Sequence, residues 1–239
     1  AALDAEIARH PGQIAAMLFE LVQGEGGIRP APREFFVALM ERCKSARIAV
    51  WVDEVQTYAR TGELFAHKTL GLEDYVDVVT AGKALQGSAV LFRRVYNPKP
   101  GLISGTFAGA SVGMAVGARI IERLEAGGFL GPQGRIARLG RRVKQRLAKL
   151  ARTLPGGVSE PTGIGAMWAF TAFDGSAAAV DAVIRAALDQ GLLVFSAGAQ
   201  PARARLLLPV NTSDEELAQG FTKLERALRR VAAERSAPC

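Results

Sequence analysis

The sequence has 239 residues, 49% of them hydrophobic and 22% charged, an ordinary globular composition with enough apolar material for a core in one or two domains. Its apolar runs, such as Ile14 to Leu21 and Ile48 to Val52, are far shorter than the roughly 20 residues a membrane-spanning helix needs. The first residues lack the basic stretch and apolar core of a secretory leader, so cytoplasm is the expected compartment. Cys43 and Cys239 stand far apart and His10 and His67 are the only histidines, which argues against a disulfide framework and a zinc site. The formal net charge of +7 raises the question of an anionic partner.

In chain order, a short helix (Leu3 to Ala8) ends near Pro11-Gly12 and a buried strand follows at Ile14 to Val22. The glycine- and proline-containing stretch from Gln23 to Pro32 reads as a loop, and a helix runs from about Arg33 to Ser45. Strand Ile48 to Val52 leads into Asp53-Glu54-Val55-Gln56, strand Val76 to Ala81 leads into Gly82-Lys83, and a third strand covers Ala89 to Phe92. After Ser104-Gly105-Thr106, a long helix spans about Ala110 to Glu125 and stops at Gly127-Gly128. Strands alternating with helices predict an α/β protein with a largely parallel sheet.

The texture changes beyond Gly128, so two domains are expected, residues 1–127 and 128–239. Between Pro132 and Leu154 lie Arg135, Arg138, Arg141, Arg142, Lys144, Arg146, Lys149 and Arg152 with no acidic residue. Subtracting these eight charges leaves 7 − 8 = −1 for the rest. Ile136, Leu139, Val143, Leu147, Leu150 and Leu154 recur at helical spacing within the same stretch, so it predicts an amphipathic helix with a basic outer face. A solvated face is favoured over an anionic partner, and no aromatic residue interrupts the run to stack on a base, so nucleic acid is disfavoured. A strand near Ala166 to Phe173, a helix from Ala177 to Gln190, and strands near Leu192 to Phe195 and Arg205 to Leu208 follow. A last helix opens on Ser213-Asp214-Glu215-Glu216, which fits a capping box.

In open α/β sheets ligands gather at the carboxyl ends of parallel strands. Asp53 ends one apolar strand and Lys83 ends the next. A charge in that position needs an opposite charge or hydrogen-bond donors. The pair therefore reads either as a structural salt bridge or as a site that uses lysine as a nucleophile.

Four ordered motifs carry a resemblance. They are Phe19 to Gly27, Val52-Asp53-Glu54-Val55-Gln56-Thr57 with Arg60-Thr61-Gly62, Thr80-Ala81-Gly82-Lys83-Ala84-Leu85, and Ser104-Gly105-Thr106-Phe107. In order and spacing they resemble the class III pyridoxal-phosphate-dependent aminotransferases, of the acetylornithine, ornithine and 4-aminobutyrate aminotransferase kind, from Ile14 to the end of the chain. The resemblance implies a type I fold, with part of the large domain followed by a C-terminal α+β small domain. It also implies a homodimer and amino transfer between an amine or amino acid and 2-oxoglutarate.

By the same resemblance Lys83 is the lysine that binds pyridoxal phosphate through its amine and then serves as general base. Asp53 pairs with the pyridine nitrogen; at about 4 Å and an effective dielectric near 20 such a pair is worth roughly 4 kcal/mol before desolvation. Gln56 hydrogen-bonds the phenolic oxygen, and Thr106 binds the phosphate of the cofactor held mainly by the other subunit. Arg205 resembles the family arginine for the substrate α-carboxylate, with Arg203 as the alternative, and Glu25 the glutamate that pairs with it when the substrate lacks that carboxylate. Acetylornithine, ornithine, 4-aminobutyrate and lysine are all compatible with that pair.

The sequence departs from the family at three places. Gln86-Gly87-Ser88 is a shortened loop, Tyr58 replaces a frequent glycine, and Leu208 replaces a common proline. The family's phosphate loop and ring-stacking aromatic fall in a part of the pattern this sequence does not contain, so the site is expected to be incomplete in this chain alone. The competing expectation is a catalytically inactive fragment or pseudoenzyme that acts as an interaction module, through its basic helix.

Overall fold

The computed structural model describes residues 1–106 and 108–236. In chain order the first elements are α1 (Ala2–Arg9), β1 (Ala16–Phe19), β2 (Val22–Gln23), β3 (Arg29–Pro30), α2 (Arg33–Ser45), β4 (Ala49–Glu54), α3 (Ala66–Thr69), β5 (Val78–Ala81), β6 (Ala89–Phe92) and α4 (Ser111–Ala126). Then come α5 (Arg135–Thr153), β7 (Val158–Ile164), β8 (Met167–Ala172), α6 (Ala177–Asp189), β9 (Phe195–Ala197), β10 (Arg203–Leu207) and α7 (Asp214–Ser236). They form two compact units: residues 1–21, 31–59 and 63–128, and residues 22–30, 60–62 and 129–239.

The first unit is built on a sheet of order β1-β4-β5-β6, in which β1, β4 and β5 run parallel and β6 is antiparallel to β5. Alternation along β4 buries Val50, Val52 and Glu54 on one face, while Trp51 and Asp53 on the other face stay half-exposed. The buried face packs on Phe36, Met40 and Cys43, which recur at helical spacing along α2. The buried strand expected over Ile14 to Val22 is corrected. Only Ala16–Phe19 pairs, as a half-exposed edge strand with Leu18 57% accessible, because β4 alone flanks it. Leu21 enters the core of the first unit, and Val22 begins a hairpin of the second.

The second unit is an antiparallel sheet of order β7-β8-β10-β9 packed with α5, α6 and α7 around Phe170, Leu147, Val183 and Leu228. The hairpin β2–β3 joins this unit because Val22 and Ile28 bury against Met167 and Ala169, and Arg60 accepts a bond from the Ala166 amide through its carbonyl. Strand β7 was not expected. Pro161 and Gly163 hide its pattern, and its register shifts between Ser159 and Thr162 at a bulge, where an edge strand tolerates such residues. The strand expected over Leu192 to Phe195 starts later, at Phe195, because β10 offers partners only from Ala197 back to Phe195. Helix α7 opens on the expected capping box: the Ser213 amide donates to Glu216 and the Glu216 amide to the Ser213 hydroxyl.

Candidate functional site

In the first unit the end of β4 and the end of β5 lie side by side. Asp53 is in register with Thr80. Its Oδ1 accepts from the Val55 amide at 2.9 Å and from the Thr80 hydroxyl at 3.3 Å. Among the described residues no donor meets Oδ2, so the carboxylate is anchored through one oxygen and presents the other. Lys83 lies three residues past Thr80, just beyond the end of β5 at Ala81. Its backbone turns sharply there, with φ +45° at the start of a 3-10 turn over Lys83–Leu85. A left-handed conformation costs a non-glycine residue about 1 kcal/mol or more. The Lys83 side chain is exposed and has no ion-pair partner among the described residues. Asp53 and Lys83 therefore do not neutralise one another, which removes the structural salt bridge weighed from the sequence.

Gln56 is buried just beyond β4. Thr106 is exposed in the loop before α4, and Phe107 of the same motif lies outside the described residues.

Glu54 points the opposite way from Asp53, into the core, and is fully buried. It accepts from the amides of Ala66 and His67, from His67 Nδ1 at 2.7 Å and from the Thr57 hydroxyl at 3.2 Å. This carboxylate staples the segment after β4 to α3. Sequence reading passed over it, yet adjacent acids in a strand must face opposite sides, so one of them had to find buried partners.

In the second unit Arg205 Nη1 meets Glu25 Oε1 at 2.5 Å. The two are unequal: the arginine side chain is 13% exposed and the glutamate 73%. The guanidinium also lies 5.9 Å from the ring of Phe195 on β9, a contact the sequence did not suggest. The Glu25 backbone is fixed by a 2.7 Å bond from the Gly198 amide to its carbonyl.

Arg203 is only 3% exposed and donates to the carbonyls of Gly27, Glu160 and Ala169 and to the Thr162 hydroxyl. Burial first, then the nearby charge of Arg29, lowers its pKa against the opposing pull of Glu160. It ties the β2–β3 hairpin to the sheet; its Nη1 and Nη2 are committed to these acceptors and its side chain is buried, which favours Arg205 over Arg203 as the arginine that receives a carboxylate.

Residues 1–228 match the family described as aminotransferase class-III. The chain is a member of that family. It is 32% identical to the 5-aminovalerate aminotransferase DavT of Pseudomonas putida over 234 residues, covering 93% of this chain and 54% of that one. It is 35% identical to an acetylornithine aminotransferase of Rhodobacter capsulatus over 234 residues, with 94% and 56% covered. Among solved structures it superposes on the lysine aminotransferase of M. tuberculosis in its internal aldimine form, with TM-score 0.88 and 31% identity over 96% of this chain and 52% of that one. The class III chain thus has the fold of the aminotransferases and spans about half the length of the relatives it matches.

Proposed function

We propose that this chain supplies the catalytic lysine and part of the cofactor and substrate sites of a pyridoxal-phosphate-dependent aminotransferase. The reaction moves an amino group between an ω-amino or amino acid donor, of the acetylornithine, ornithine, 4-aminobutyrate or lysine kind, and 2-oxoglutarate. On this reading the first unit is the C-terminal part of the cofactor domain and the second is the small domain. The working enzyme is a cytoplasmic homodimer whose site this chain alone does not complete.

The observation that carries the reading is the presentation of Asp53 and Lys83. One carboxylate oxygen is held by Val55 and Thr80 while the other meets no donor, and an exposed ammonium without a partner stands at the end of the adjoining strand. A cationic heteroaromatic ring with an electrophilic carbon suits that donor set, and pyridoxal phosphate is such a group; when bound it supplies an electron sink for a substrate carbanion.

Asp53 Oδ2 then holds the proton on the ring nitrogen. Lys83 Nζ would hold the cofactor and would serve as the general base that moves a proton at the substrate carbon. Gln56 orients the phenolic oxygen, and Thr106 offers a hydroxyl in a glycine-containing turn to the phosphate of the partner subunit's cofactor.

Arg205 receives the α-carboxylate of 2-oxoglutarate or glutamate. Glu25, held by its backbone and exposed at its side chain, pairs with that guanidinium when an ω-amino substrate brings no carboxylate and swings away when one does. Addition of pyridoxal phosphate should produce a visible absorbance band that is lost in Lys83→Ala. A band of equal strength in the variant would reject Lys83 as the attachment point.

A further inference from the structure

Helix α5 is 19 residues long and carries eight basic residues and no acidic one. Its inner side chains, from Ile136 to Leu150, are buried in the second unit. On its exposed side Arg135, Arg138, Arg142, Gln145, Lys149 and Arg152 follow one another at steps of three or four residues. At about 1.5 Å per residue this makes a straight ridge of roughly 26 Å with a polar group every 5 Å or so.

On helix α7 three of the four arginines, all but Arg226, are paired with carboxylates of the protein's own surface. Arg229 pairs with Glu225, Arg230 with Glu234 and Asp189, and Arg235 with Asp174. On α5, among the described residues, a single carboxylate, that of Asp214, pairs with Arg142. Arg138 and Arg141 donate to the backbone carbonyls of Gln133 and Pro132, which fixes the side chains and leaves their charge uncompensated. Open clefts of about 440 and 450 Å³ border Arg142, one lined by Arg146 and Lys149 and the other by Arg135 and Arg138, with Asp214 lining both.

We infer that the ridge of α5 is a docking surface for an acidic α-helix of a partner protein. A helix with carboxylates at every third and fourth residue repeats at the same 5 Å or so as the ridge, so successive pairs stay in register along its whole length. Guanidinium forks take carboxylates in two-point contacts, and six of the eight basic residues are arginines.

Other anionic partners fit less well. No aromatic side chain stands on the helix to stack on a base, and its evenly spaced cations match a carboxylate stripe. The ridge offers no apolar side chain to insert into a membrane surface. Repulsion between the crowded cations is relieved when the acidic helix binds, so affinity depends on salt.

Fluorescence anisotropy should measure binding of three probes to the purified chain. The first is a labelled helical peptide with glutamates at every third and fourth position, the second a peptide of the same composition with the stripe scrambled, and the third a DNA duplex; co-sedimentation should test phosphatidylserine vesicles. The striped peptide should bind at least about 10-fold tighter than the scrambled one and weaken steeply as salt rises from about 0.05 to about 0.5 M. The variant R138E/K149E/R152E should lose it. The neutral R138Q/K149Q/R152Q should weaken it, with circular dichroism and Tm unchanged for the neutral form. Equal binding of striped and scrambled peptides, tighter binding of duplex or vesicles, or retained binding by the folded neutral variant would overturn the proposal.

Discussion

The two units solve the same burial problem to different degrees. In the second, three helices cover the antiparallel sheet, and β8 is buried at every residue. In the first, the face of β4 that meets α2 is closed, but the antiparallel edge is open. Val90 and Phe92 point to one side of β6 and Leu91 to the other, and all three are exposed, as are Val112 and Met114 on α4. Exposure on both sides of one strand means that, among the described residues, neither face of the sheet is covered there, and an exposed apolar edge is a template for association. Apolar alternation in a sequence marks which residues can be buried; whether they are depends on what lies opposite.

Truncating a matched pair of aromatics tests this contrast most severely. Phe170→Ala in the second unit should cost about 3–5 kcal/mol in urea unfolding, the range for an aromatic lost from a closed core. Phe92→Ala in the first, at a side chain 38% exposed, should cost less, about 1–2 kcal/mol. It should also reduce concentration-dependent association in sedimentation. Equal losses from the two changes would erase the difference between the units.

A smaller effect separates the two arginines of β10. Arg203→Met leaves the carbonyls of Gly27 and Ala169 without their donor in a buried setting and should destabilise by about 2–3 kcal/mol. Arg205→Met should change stability by less than about 1 kcal/mol, since its partner Glu25 stays solvated. It should, however, abolish saturable binding of 2-oxoglutarate to the holoenzyme. If the two variants melt alike, the assignment of one to structure and the other to substrate is wrong.

The smallest effect concerns pH. The Ser213 backbone amide, and after it the Ser213 side chain, hold the Glu216 carboxyl below its ordinary pKa. A carboxyl depressed in the folded state contributes stability that is complete above the unfolded pKa and is lost as pH falls through the folded one. The Tm gap between the parent and Glu216→Gln should therefore be widest near about pH 6 and close by about pH 2. A gap that stays constant over that range would show that the capping carboxylate makes no pH-linked contribution.

Much of the frame was legible because it is written in local patterns. The boundaries of α2, the amphipathic α5 and the Ser213–Glu216 cap follow from helical spacing and from side chains that satisfy backbone groups within a few residues. Strand β7 was not legible, since a bulge, a proline and a glycine break its alternation, and only pairing with β8 makes it a strand. The candidate site divides in the same way. Asp53 and Lys83 stand out as charges at the ends of apolar strands, whereas Thr80 as the anchor of Asp53, His67 against Glu54, and Phe195 beside Arg205 depend on residues far apart in the chain.

Sequence alone determined the family, the long helices and the central strands, and the kinds of charged side chain offered at the strand ends, because periodicity and motif spacing act over a few residues at a time. Tertiary structure decided that Arg203 is a buried tie while Arg205 pairs with the exposed Glu25, that the β2–β3 hairpin belongs with the second unit, and that β6 is left exposed among the described residues. Those outcomes depend on which donors, acceptors and apolar faces meet across long stretches of chain, and the free energy of burial is set by the groups that meet, not by the residue that is buried.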